Sequence, residues 1–120
     1  QIIERISRGG SLPTATLTSE RTLVDLSRYS NPMVYFQATV NPANTGSATF
    51  DLMDAGVSDA GVAGVTAISS STLDFNAYVK TRSRSSALTL ITGNRVVPKL
   101  STTGGNAVVS DTSIVIDVSR

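Results

Sequence analysis

Four segments of this chain alternate apolar and polar residues with a strict period of two, and that pattern fits only a strand with one dry and one wet face. Over 33–41, Val34, Phe36, Ala38 and Val40 share one side and Tyr35, Gln37 and Thr39 the other. Over 47–53, Ala48, Phe50 and Leu52 oppose Thr49 and Asp51, and over 72–80, Leu73, Phe75, Ala77 and Val79 oppose Asp74, Asn76, Tyr78 and Lys80. Near the end, Ile114, Ile116 and Val118 alternate with Val115 and Asp117. The shared phase predicts one core built from Val34, Phe36, Ala38, Val40, Phe50, Leu52, Leu73, Phe75, Val79, Ile114, Ile116 and Val118.

Shorter apolar stretches at 12–18, 22–26, 87–92, 95–100 and 107–110 read as further strands, with Pro98 marking a sheet edge or a break. The residues 18–28 offer a short helix capped by Thr18 or Ser19 as an alternative, opposed by the poor helix formers Thr22 and Val24. Turn chemistry is dense: Gly9-Gly10, Ser30-Asn31-Pro32, Asn41-Pro42, Gly93-Asn94 and Gly104-Gly105-Asn106. Val, Ile and Thr fill 35 of the 120 positions against two Glu and two Lys, a balance that favours sheet over helix. Eight or nine short strands at this spacing predict an all-β, single-domain β-sandwich, jelly-roll-like in arrangement. Residues 1–10 read as a flexible N-terminal arm and 11–120 as the sandwich, with 54–65, which holds Gly56, Gly61 and Gly64, as a long loop within it.

The chemistry available is narrow. With no Cys there is no disulfide or thiolate, and with no His the commonest general base and metal ligand are missing. No apolar run reaches the ~18 residues a spanning helix needs. A net charge of +1 from ten scattered cations makes no basic stripe for nucleic acid. Seventeen serines have only Lys80 and Lys99 as amine bases to activate them, and the glycines of the central loop are followed by neither a Walker Lys nor a Rossmann helix. No enzyme, cofactor, membrane or nucleic-acid partner is therefore expected.

Three clusters remain. Asp51, Asp54 and Asp59 resemble an acidic cation loop in composition, but their spacing of three then five and the lack of a closing Glu do not supply the six to eight oxygens calcium takes, so no metal is expected. Asp74 and Asp117 would make a glycosidase-like pair only if two strands set them ~5–10 Å apart across a cleft. Arg82-Ser83-Arg84-Ser85-Ser86, just after Lys80, reads either as a solvated hairpin loop or as a grip for an acidic protein surface. Tyr35 and Tyr78, on the non-core faces of their strands, are open to packing against a second layer, a neighbouring subunit or a ligand.

The order of segments resembles that of the jelly-roll cement (decoration) proteins of tailed-phage capsids. The resembling residues are Thr14-Ala15-Thr16-Leu17-Thr18, Leu23-Val24-Asp25-Leu26, Asn31-Pro32-Met33-Val34-Tyr35-Phe36, Ser47-Ala48-Thr49-Phe50-Asp51-Leu52, Ala87-Leu88-Thr89-Leu90 and Thr103-Gly104-Gly105-Asn106. They cover about two-thirds of the chain as a pattern, and 55–71 has no counterpart. The resemblance implies a non-enzymatic virion structural protein on the capsid exterior. Its partners would be the major capsid protein or other virion subunits, and it would act in many copies as a homo-oligomer on the assembly. Contacts are then expected from Ile2, Ile3 and Ile6, as the apolar anchor of the arm, and from Arg82 and Arg84. The competing expectation is a surface binding module, an adhesin or tail-fibre domain recognising glycan or receptor.

Overall fold

The computed structural model describes residues 2–7, 10–12, 16–17, 22–27, 29–42, 47–56, 66–76, 79–103, 105 and 107–118. Eleven strands run along them: β1 Ile2–Ser7, β2 Gly10–Leu12, β3 Thr16–Leu17, β4 Thr22–Leu23, β5 Met33–Asn41, β6 Ala48–Asp54, β7 Thr66–Ala67, β8 Leu73–Phe75, β9 Thr81–Arg84, β10 Arg95–Thr102 and β11 Ala107–Asp117. All pair antiparallel, in two sheets. One sheet runs β1-β11-β5-β9 with β2 also on β11. The other runs β3-β10-β6-β7, with β4 also on β10 and β8 also on β6. No helix forms among the described residues, so 22–27 takes the strand reading at Thr22–Leu23 and a turn after it.

Three edges of this sandwich are built from two short strands in tandem: β1 with β2 along β11, β3 with β4 along β10, and β7 with β8 along β6. Counting each tandem as one position gives eight positions along the chain, whose spatial orders are 1-8-3-6 in one sheet and 2-7-4-5 in the other. That interleaving of early and late segments is the jelly-roll-like arrangement expected of two Greek keys.

The alternating faces meet between the sheets. Val34, Phe36, Ala38 and Val40 from β5 and Ile114 and Ile116 from β11 pack against Ala48, Phe50 and Leu52 from β6, Val96 and Leu100 from β10, and Leu73 and Phe75 from β8. Phe36 and Phe50 cross edge to face at 6.0 Å and 82°, joining the two layers at their centre. Val24, Leu26, Tyr29, Ile68 and Leu90 close over this core from the loops.

The structure corrects the sequence at several places. Val79 and Val118 are not core: they are 61% and 36% exposed. β8 ends at Phe75, and the chain then leaves the second sheet for β9 in the first, so the alternation past Asn76 no longer faces the core. Val118 lies one residue beyond the last paired position of β11. Arg82 and Arg84 sit on a strand, not in a hairpin loop. Residues 87–92 form no strand and contribute a single bridge, Leu88 to Val34. Part of the expected 54–65 loop, 57–65, lies outside the described residues, but Thr66–Ala67 returns to pair with Met53 and Asp54.

Pro98 lies inside β10 and does not break it, pairing in register with Leu52. Arg95 exchanges backbone bonds with Ala55 and Gly56, so by antiparallel alternation the even-numbered residues of β10 turn their amides away from β6. On that side β4 pairs with Arg95 and Val96 and β3 with Lys99 and Leu100, and neither pairs with Pro98. The residue with no N–H to donate therefore stands between the stretch that pairs with β4 and the stretch that pairs with β3, and removes a donor from neither.

Candidate functional site

The two groups of expected contact residues lie on opposite edges of one sheet. Ile2, Ile3 and Ile6 belong to β1, and Arg82 and Arg84 to β9, with β11 and β5 between them. At about 4.8 Å per strand the two edges are about 14 Å apart, so they form no single patch. The segment expected as an arm carries a strand: Ile2 pairs with Ile116, Ile3 with Val115, Glu4 with Ile114 and Arg5 with Ser113, and a register shift follows before Ser7.

At β9, Arg84 is held in place. Its Nε and Nη2 donate to Oε1 of Gln37, at 3.1 and 3.0 Å, and its guanidinium carbon lies 5.7 Å from the centre of the Tyr35 ring. Gln37 is the register partner of Arg84 and is only 7% exposed, although it faces away from the core. Arg82, next along the same face, pairs with Thr39 in register, and its guanidinium makes no hydrogen bond or ion pair among the described residues. One arginine is therefore preset and the other is open. Tyr35 and Gln37 stood out in the sequence only as wet-face positions of an alternating strand. Cross-strand register is what joins them to Arg84, and no local motif carries that. Tyr78 lies outside the described residues.

The acidic residues are divided among separate tasks. Asp51 and Asp54 point to opposite faces of β6 by the alternation of the strand. Asp51 accepts a hydrogen bond from the Thr72 hydroxyl. Asp54 accepts from the Gly56 amide at 2.7 Å and from the Asn94 side-chain amide at 3.0 and 3.1 Å, clamping the turn after β6 to the start of β10. Asp59, Gly61 and Gly64 lie outside the described residues, and among the described ones no three metal-ligating side chains are gathered. Two carboxylates on opposite faces cannot share one ion, so thermal unfolding in calcium and in chelator is expected to coincide within a degree or two. A rise of several degrees with calcium would contradict this. Asp74 takes the Thr49 hydroxyl on the outer face of one sheet, while Asp117 pairs with Met33 in the other sheet, so the two do not face a common cleft.

A groove of about 440 Å³ runs between Leu23, Val24, Leu26, Leu90 and Ile91 at one end of the sandwich. Its carboxylate, Asp25, is turned onto the amide and hydroxyl of Ser27, at 3.0 and 2.6 Å. The other described lining side chains are apolar or hydroxyl-bearing. No family model, curated protein or solved structure matches this chain.

Proposed function

We propose that this chain is a non-enzymatic virion structural protein, a cement protein that decorates the exterior of a phage head and binds its major capsid protein or neighbouring virion subunits. The observation that carries the reading is the β9 side of the first sheet, where Arg84 is preset on Gln37 and Tyr35 beside an unengaged Arg82. A guanidinium whose donors are already oriented loses little side-chain freedom when a carboxylate arrives, and arginine with tyrosine is the pairing that interfaces favour. The jelly-roll-like strand order agrees with the resemblance in the sequence.

Purified chain mixed with undecorated phage heads is expected to co-sediment with them. Changing Arg82 and Arg84 together to Ala is expected to weaken binding by roughly three- to tenfold at low salt, and by less at high salt, because the charge contribution is screened. Removing residues 1–7 is not a clean test of an anchoring arm, since it also strips β1 from the edge of β11. Failure of the intact chain to co-sediment at any salt, together with specific glycan binding, would transfer the function to an adhesin or tail-fibre module.

A further inference from the structure

The β9 edge carries a further specificity, for the chemistry of the segment that docks there. Ser85 donates its amide to the Phe36 carbonyl at 2.8 Å, and Phe36 donates its own amide to the Ser85 hydroxyl at 2.9 Å. Backbone groups in an antiparallel ladder alternate sides, so Ser83 and Thr81 also turn toward β5, and the N–H and C=O of Arg82 and Arg84 point outward. β9 ends its sheet, and no described strand pairs with that outward side. Residues 75–94 hold Lys80, Arg82 and Arg84 and no Asp or Glu. By register the nearest carboxylate on that face is Asp111, on β11, two strands away.

A row of cations along a sheet edge ordinarily keeps other strands off, because each would have to desolvate and approach like or neutral side chains. The same row admits a strand of opposite charge. A residue added directly opposite Arg82 or Arg84 sits with its Cβ about 5 Å from the arginine's, on the same face, where opposite charges attract and like charges repel. We infer that the β9 edge takes an extended acidic segment of a partner protein, added as a further strand, with carboxylates at alternate positions opposite Arg82 and Arg84. This rests on the reading of the β9 side as the partner-binding surface and names what the partner must present. The backbone of the two arginines supplies the pairing, and their side chains supply the selection against neutral and basic strands.

The test uses the full chain and three labelled octapeptides of alternating Thr and charged residues, one with Glu, one with Lys, and one with Glu whose own amides are N-methylated. Fluorescence anisotropy is expected to show binding of the Glu peptide alone, with amide NMR shifts centred on residues 81–84. Arg82→Glu, at an exposed side chain with no hydrogen bond or ion pair among the described residues, is expected to weaken the Glu peptide about tenfold and to permit the Lys peptide. Equal binding of the methylated peptide would overturn strand addition, and equal binding of the Lys peptide would overturn the charge selection. A Glu peptide that fails while phage heads still co-sediment overturns this inference and leaves the cement reading standing. A Glu peptide that binds while heads do not overturns the cement reading and leaves the edge assigned.

Discussion

Phe50→Ala is expected to lower stability by about 3–5 kcal/mol, the range for emptying a buried aromatic site. The ring is fully buried (0% exposed), lies in register with Leu100 on one neighbour and Leu73 on the other, and meets Phe36 edge to face across the sheets. It therefore serves both as a member of its own sheet and as the contact that joins the two. Truncation removes the transfer free energy of the ring and leaves a void that two hydrogen-bonded ladders cannot easily collapse into. For a chain of this length the midpoint is expected to fall by roughly 4 °C per kcal/mol, so by about 12–20 °C. Val79→Ala is the matched control, since a side chain outside the core is expected to change stability by no more than about 0.5 kcal/mol. Equal effects at Phe50 and Val79 in chemical denaturation would mean that the alternation, and not the packing seen here, had located the core correctly.

That comparison separates what was legible in the sequence from what was not. β5, β6 and the end of β11 were readable because apolar side chains recur at every second position toward the core, although the other face is itself buried at Gln37, Thr39, Ser113 and Val115 and β11 changes phase after Val109. Val79 misled because alternation records the local side of a strand and not which sheet the chain is in, and the crossing after Phe75 carries no Gly or Pro to mark it. The candidate site was legible at Arg82 and Arg84 as charges, but their strand, their open edge and the Gln37 and Tyr35 partners come from pairing between residues more than 40 positions apart in sequence. Met53 and Val97 show the same limit. They are buried on the outer face of the second sheet, which alternation assigns to water.

The tandem edges make the last case. On β10, between the stretches that pair with β4 and β3, Pro98 has no amide to donate. Where β7 and β8 leave a gap on β6, the amide is present and belongs to Leu52, opposite Pro98 in the ladder. Ser71, fully buried, fills that place: its hydroxyl accepts from the Leu52 amide at 3.0 Å and lies 2.8 Å from the Ile68 carbonyl, to which it donates. Ile68 in turn donates its amide to the Leu52 carbonyl at 2.9 Å. A side-chain hydroxyl thus completes a ladder that no strand covers. One serine among seventeen carries no sign of this in the sequence. Ser71→Ala keeps the volume nearly unchanged but leaves a buried amide without an acceptor, a loss expected to cost about 1–3 kcal/mol. Hydrogen exchange at Leu52 is expected to accelerate beyond what the global change explains, because the deprived group is that amide. Ser85→Ala, where the Phe36 amide is served in the same way at a half-buried site, is expected to cost less, since water reaches it there. Unchanged stability together with unchanged Leu52 protection in Ser71→Ala would mean that another acceptor closes the gap and that the hydroxyl is not what holds β7 and β8 to one edge.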